Sequence, residues 1–380
     1  METIRITTCR LCGGDLTPLF NFGDFYISTF VKKQEDNIGM APLSLVQCVN
    51  CKLVQLENSA PQELLYSGKY WYRSALNKKI VDDLENIVQE ATKLVRGGTF
   101  LDIGANDGTL LSFVPEGFKT IGIEPATNLQ EELAKKCNRV VSNFWEQVDL
   151  EERADIITAV GMFYDSEDPN LFVANVKKHL NENGLFIAQL MTLKPMLEQN
   201  DFGNICHEHL EYYSYDNLKY LFERNGLEIF KVEENDINGG SYRLYARHYK
   251  NGSIEYPEDL NLSQFFVNIE NNKSMVSSFI RRVTKEGKKV YGYGASTKGN
   301  SILQYYKLTS DDIVGIIDIN PEKIGKYAVG TGIPVMGHEE IENADYLLIL
   351  PWGFRDYFIE KETNFKGKWL THTPKFSVLQ

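Results

Sequence analysis

Cysteine and histidine are both scarce, at six each in 380 residues. A secreted disulfide scaffold would need more cysteine, so the thiols are expected to stay reduced and the location to be cytoplasmic. No run of about 18 apolar residues occurs, so no membrane-spanning helix is expected. The opening METIRITTCR lacks the apolar core of a secretory signal. Positive charge is also in deficit, with 40 Lys and Arg against 52 Asp and Glu and a formal net charge of -12. Such a surface repels a polyanion and argues against extended nucleic-acid binding, although a local pocket could still hold a small anion. The chain is 43% hydrophobic and 24% charged. That is enough apolar material for more than one core, in a length that suits two or three domains.

Four of the six cysteines are Cys9, Cys12, Cys48 and Cys51. Two residues between thiolates let both reach one ion from a tight turn, and two such turns make the tetrahedral four-sulfur shell that zinc prefers. A full sulfur shell leaves no open position for substrate, so the zinc is read as structural, with a redox pair as the other reading. The long spacing between the pairs predicts a small β-rich insert. Its aromatic stretch FGDFYISTF (22–30) either packs the core of this segment or reaches an active site.

From about residue 75 helices and strands alternate. ALNKKIVDDLENIVQEATKLV has apolar residues at helical spacing. GGTFLDIGANDGTLLSFV (97–114) reads as a buried strand, a glycine turn and a helix. Gly104 and Gly108 allow close backbone approach to a ligand. The next strand, TIGIEPA, ends at Glu124 and Pro125, and an acidic residue there is placed to bind ribose hydroxyls. Asn106 stands where a dinucleotide fingerprint would have its second glycine, so that fingerprint fails. The D-x-G-x-N-x-G pattern of Asp102, Gly104, Asn106 and Gly108 resembles the S-adenosylmethionine site of class I methyltransferases. ADIITAVGM then reads as a strand that places Gly161, Met162 and Phe163 at its ligand-binding end, or leaves the last two in the core. Asp168 and Pro169 begin the following helix.

The segment ICHEHLEYYS (205–214) gathers Cys206, His207, Glu208, His209 and Tyr212 after another strand, NGLFIAQLM, on the cofactor side of the sheet, with Ser214 as cap of the next helix. A metal site there would need a third ligand that the spacing does not supply. A proton-transfer site needs one imidazole and one group to orient it, and the ordinary histidine pKa near 6.5 suits that work.

The carboxyl-terminal third repeats the strand, glycine-loop and helix pattern. KKVYGYGASTKGN offers Gly292, Gly294 and Gly299 with Ser296, Thr297 and Lys298 as a cradle for a diphosphate, and IVGIIDINPEKIG places Asp318 at the end of the next strand. Lys298 and Arg243 are the local cations expected to admit that anion.

CRLCGG…CVNCKLVQL, YWYRSALNK, LDIGANDGTLL, NICHEHLEYYS, NGGSYRLYA and GYGASTKGN follow one another across nearly the whole chain. In this order they resemble the sugar C-methyltransferase family, which includes ketosugar 3-C-methyltransferases. The resemblance implies an α/β protein of three parts: a zinc-binding β segment (1–72), a class I, Rossmann-like methyltransferase domain (73–250) and a second doubly wound domain (251–380). It implies S-adenosylmethionine and structural Zn2+ as cofactors and a nucleotide-linked 4-ketosugar as substrate, in a monomer or small homo-oligomer. Glu208 and His209 match the family's acid/base pair, and Tyr70, Tyr72 and Ser74 match its Tyr-x-Tyr-x-Ser substrate segment. Cys206 stands where some members have Tyr. The chemistry is removal of a proton beside a ketone, then methylation of the enolate carbon. His209 is the expected base, Glu208 orients it or exchanges protons itself, Tyr72 or a histidine steadies the oxyanion, and His207 completes the set in a structural role. An O- or N-methyltransferase of a sugar or small metabolite, and a non-enzymatic binding module, are the competing readings.

Overall fold

The computed structural model describes residues 3–67 and 70–380. Strands Leu16–Tyr26 and Met40–Cys48 pair antiparallel, and Val54–Leu56 extends the sheet. A fourth strand, Glu211–Tyr212, comes from far along the chain and pairs with Val54–Leu56.

Helix α1 (Lys78–Leu94) buries Ile80, Leu84, Ile87, Val88 and Ala91, the spacing of one helical face. It is followed by the central strands β1 (Gly98–Ile103), β2 (Phe118–Ile123), β3 (Arg139–Val141) and β4 (Ala154–Val160). Helix α2 (Pro169–His179) leads to β5 (Leu180–Met191), and helix α3 (Tyr215–Arg224) to β6 (Leu227–Asn235) and β7 (Ser241–His248). Their order across the sheet is β3-β2-β1-β4-β5-β7-β6, with β7 antiparallel to both neighbours. The strands read as apolar runs because α1 covers one face while α2 and α3 cover the other. Asp168 caps α2 by accepting from the Leu171 N–H at 2.9 Å, and Ser214 with Asn217 forms a capping box on α3.

The glycine turn after β1 does not open an α-helix. Only a short 3-10 turn, Leu111–Phe113, follows it. Asp107 folds back to accept from both the Thr109 N–H (3.1 Å) and its hydroxyl (2.6 Å), and Pro115 disfavours helical backbone at Val114.

Residues 249–261 carry no regular element. Helix α4 (Leu262–Lys285) then leads into β8 (Val290–Tyr293), helix α5 (Thr297–Tyr306), β9 (Ile316–Ile317), β10 (Val335–Met336), β11 (Tyr346–Ile349), β12 (Lys368–Thr371) and β13 (Ser377–Leu379). The sheet order is β10-β9-β8-β11-β12-β13, parallel except for the last strand. One apolar cluster runs from Phe25, Leu43 and Val54 through Phe202 and Ile205 to Phe265, Ile302 and Leu350, so residues of all three segments share a core. No helix among the described residues is long and apolar enough to cross a membrane.

Arg243 was expected to meet a diphosphate, but the fold uses it otherwise. Its buried guanidinium donates to Gln189 Oε1 (2.8 Å), Asn86 Oδ1 (2.7 Å) and Asp83 Oδ1 (2.7 Å), which fastens α1 to β5 and β7. Arg243→Ala leaves the Asp83 carboxylate without its counter-charge and is expected to cost about 3–5 kcal/mol in chemical unfolding. Replacing both partners, as Asp83→Leu with Arg243→Met, is expected to recover most of that loss.

Candidate functional site

The four sulfurs of Cys9, Cys12, Cys48 and Cys51 lie within 4.8 Å of one another, with Cys9–Cys51 at 3.5 Å and Cys12–Cys48 at 3.4 Å. A tetrahedral ion with bonds of about 2.3 Å needs sulfurs about 3.8 Å apart, so the cluster fits zinc.

A crevice opens at the carboxyl ends of β1, β2 and β4. Gly104, Asn106, Glu124, Pro125, Gly161 and Met162 line it, with Trp145 and Glu146 from beyond β3 and Tyr70, Tyr72 and Ser74 opposite. Gly104 has φ +70°, and a Cβ there would sit 2.8 Å from Met162 Cγ, so only glycine leaves the gap open. The two Glu124 oxygens each accept one backbone N–H, from Asn106 and Ala126, both at 2.8 Å. Each oxygen keeps acceptor capacity for a ligand hydroxyl. The Asn106 side chain accepts from the Ser74 N–H (3.1 Å) and donates to the Tyr72 carbonyl (3.3 Å), which stitches the 70–74 strip to the glycine turn.

Three residues expected in this crevice lie behind it. Asp102 is buried and accepts from the Thr158 hydroxyl at 2.6 Å, and burial pushes its carboxyl up to about 7. Gly108 packs on Leu133, where a Cβ would stand 3.0 Å from Cδ1. Phe163 is fully buried against Phe172 and Tyr213.

Tyr70 and Tyr72 are also walls of a second pocket, shared with Thr29, Phe30, Glu208, Ser296, Thr297 and Lys323. In FGDFYISTF, Phe22 and Phe25 pack in the core, and Thr29 and Phe30 line this pocket. Burial pushes the Glu208 carboxyl up to about 7, against the opposing effects of the Thr297 hydroxyl and the cations Lys298 and Lys323. His209 faces the Asn204 carbonyl through Nδ1 at 2.8 Å. A carbonyl only accepts, so Nδ1 carries the hydrogen and Nε2 is left as an acceptor. Burial, helped by Lys298, pushes the imidazole down to about 3. Ligand atoms of Cys206, Glu208 and His209 lie within 4.8 Å of one another. His207 turns away: its Nε2 donates to the Ala41 carbonyl at 3.1 Å, in the amino-terminal sheet. Tyr212 is buried and lines neither pocket.

A third pocket continues past Trp71, Tyr72, Ser296 and Lys323 to Gly294 and Asp318. Asp318 accepts from the N–H groups of Ala295 and Asn320, both at 2.7 Å. Lys298 does not enter it. Its Nζ lies 2.6 Å from Met191 Sδ, near the carboxyl groups of Asp201, Glu208 and Asp165. The first turn of α5 directs that side chain toward the 205–214 segment, and Lys323 and Lys361 are the lysines that line the pocket.

The sequence reading missed Asp165, Tyr66, Trp145, Glu146 and Lys323. Asp165 lines the crevice, with its carboxyl pushed far up by burial and by the Glu208 charge. Its signal was available, since it lies four residues after Gly161 at the ligand-binding end of β4. Tyr66, whose hydroxyl donates to the Glu208 carbonyl at 3.1 Å, had no local signal.

Comparison with known proteins matches three family models along the chain: a zinc binding domain at 9–66, a methyltransferase domain at 72–232 and a C-methyltransferase C-terminal domain at 236–374. The C-methyltransferase NovU of Streptomyces niveus is 27% identical over 411 aligned positions, covering 98% of this chain and 97% of that protein. Among solved structures, an S-adenosylmethionine-dependent methyltransferase of Clostridium acetobutylicum ATCC 824 is 16% identical over 45% of this chain and 92% of its own, with a TM-score of 0.38. The mitomycin 7-O-methyltransferase MmcR is 15% identical over 46% of this chain and 56% of its own, with a TM-score of 0.39. The fold and the matched domains define an S-adenosylmethionine-dependent methyltransferase with a structural zinc site. Together the three matches run from residue 9 to residue 374, in an order that ends with the C-methyltransferase C-terminal domain.

Zinc stripped by a chelator is expected to lower the melting temperature and to be recovered at one equivalent per chain by metal analysis. Cys12→Ser should lower both zinc content and melting temperature.

Proposed function

We propose that this C-methyltransferase acts on a nucleotide-diphosphate-linked ketosugar, methylating the carbon beside the ketone after a proton is taken from it. The observation that carries the reading is the run of three connected pockets, in which Tyr72 is common to all and Glu208 stands in the middle one. The first suits the cofactor, the second the sugar ring and the third the nucleotide. Ser296, Lys323 and the Gly294 turn would hold the diphosphate, with Asp318 nearby.

Bound in the first pocket, S-adenosylmethionine supplies an electrophilic methyl group. Glu124 would hold its ribose hydroxyls, and Gly104 and Gly161 give it room. Glu208 is the residue that takes the proton. Its carboxylate faces the sugar pocket, and a pKa near 7 makes it a far stronger base than an ordinary carboxylate while leaving it half ionised near neutral pH. His209, held neutral and fixed through Nδ1, offers Nε2 beside it as a hydrogen-bond acceptor that orients the protonated carboxyl. The Tyr72 phenol borders all three pockets and, because an ordinary phenol has a pKa of about 10, stays protonated at neutral pH, so it is available as a donor to the developing oxyanion.

The pH dependence separates the two candidate bases. Glu208 loses its basic form as pH falls through about 7, so kcat should fall below that pH and level off above it. A profile governed by His209, basic down to about pH 3, would be flat between pH 5 and 8. Glu208→Gln should lower kcat by about a hundredfold or more with little change in S-adenosylmethionine affinity. Glu124→Ala should weaken S-adenosylmethionine binding by about ten- to a hundredfold in calorimetry. A methyl group found on oxygen or nitrogen of the product would overturn the carbon-transfer reading.

A further inference from the structure

The segment that carries Glu208 and His209 is gripped at both ends by the chain around the zinc ligands. On one side, His207 Nε2 donates to the Ala41 carbonyl at 3.1 Å, and Ala41 lies on the strand that runs straight into Cys48. On the other, Glu211 lies two residues past His209 with its side chain fully buried. The Nε of Arg10, the residue inside the Cys9–Cys12 turn, lies 3.6 Å from Glu211 Oε1 and equally 3.6 Å from Glu167 Oε2. Arg10 is itself 3% exposed at the side chain and donates to the Leu56 carbonyl (2.9 Å) and the Ser59 hydroxyl (2.7 Å). Its backbone N–H donates to Gln55 Oε1 at 3.1 Å. Gln55 in turn pairs with Glu211 across the sheet, and the Leu56 N–H donates to the Leu210 carbonyl at 2.9 Å. Further on, Asn217 Nδ2 donates to the carbonyl of Cys51 at 2.7 Å.

We propose that Arg10, Glu211 and His207 are positioning residues that make the zinc-bound turns the frame for the Glu208–His209 segment. Four contacts from residues 207–217 reach Arg10, Cys51, Ala41 on the strand that enters Cys48 and Leu56 on the strand that follows Cys51, while the cofactor crevice is built mainly from the ends of β1, β2 and β4, the 70–74 strip and Trp145 and Glu146, with Gln62 and Tyr66 at its edge. Zinc occupancy therefore governs the proton-transfer geometry without governing cofactor affinity. The inference rests on the proposed role of Glu208 and His209.

Amide hydrogen exchange read by mass spectrometry tests the frame without any turnover. Zinc removal from the full-length protein should speed exchange in peptides covering 203–213 by about tenfold or more, while peptides over β4 change by less than about twofold. Protection of 203–213 that survives verified zinc loss would overturn the proposal. If the metal-free chain loses protection everywhere, the zinc-loaded Arg10→Met/Glu211→Leu variant gives the same contrast, because replacing both members of a buried pair preserves folding better than removing one. That variant and His207→Phe should bind S-adenosylmethionine as the parent does, yet lose about ten- to a hundredfold in kcat with KM little changed, and His207→Gln, which keeps a donor for Ala41, should recover part of the rate. Full kcat in these variants, alongside a Glu208→Gln variant that has lost it, would sink the frame and leave the role of Glu208 standing. Full kcat in Glu208→Gln would instead remove the role on which the frame rests.

Discussion

Withdrawal of one carboxylate from water is the constraint on which the account depends. An ordinary glutamate is too weak a base for a carbon acid, and a fully buried one would hold its proton too tightly to cycle near neutral pH. Glu208 lies between these limits. It borders the middle pocket, and burial raises its carboxyl while the Thr297 hydroxyl and the lysines at 298 and 323 restrain the rise. Both restraints come from the carboxyl-terminal domain, so the acid strength of a residue in the central domain is set by the approach of another part of the chain.

That dependence gives a physical reason for the three-part build. The central sheet contributes Gly104 and Glu124 to the first crevice, which Gln62, Tyr66 and the 70–74 strip complete. The amino-terminal segment adds Thr29 and Phe30 to the middle pocket, and the carboxyl-terminal domain adds Ser296, Thr297 and Lys323. The 70–74 strip holds them in register. The Trp71 indole donates to Thr29 Oγ1 at 3.1 Å, Arg73 pairs with Glu322 at 3.1 Å, and Ser74 is bonded to Asn106. A substrate with a ring at one end and an anionic nucleotide at the other suits a row of pockets that no single segment encloses. Zinc enters the same logic from a distance, because chain near its ligands, at Arg10, Ala41 and Leu56, contacts the 205–214 stretch.

Much of the fold was legible because its signals are local. Apolar runs marked β1, β2, β4 and β5, helical spacing marked α1, and Asp168-Pro169 and Ser214 marked helix starts. The helix expected after the glycine turn was not, since Asp107 and Pro115 act on a stretch whose composition otherwise favours it. Site residues that lie in sequence motifs, such as Gly104, Glu124, Tyr72 and Glu208, fall on pocket walls. Side-chain direction was not legible. Arg243 and Lys298 are cations near the right motifs, but one is taken by Asp83 and the other points toward Glu208. Phe163 and Asp165 are two residues apart, yet the first enters the core and the second the crevice. The Arg10–Glu211 pair joins positions 201 residues apart in the chain, and nothing local announces it.

Solvent deuterium supplies the most direct measurement of the central claim. A nucleotide ketosugar incubated with the protein in heavy water, without S-adenosylmethionine, and followed by proton NMR reports removal of hydrogen beside the carbonyl independently of methyl transfer. The parent is expected to wash deuterium into that position, and Glu208→Gln to do so about a hundredfold more slowly. A Glu208→Gln protein that exchanges as fast as its parent would contradict it.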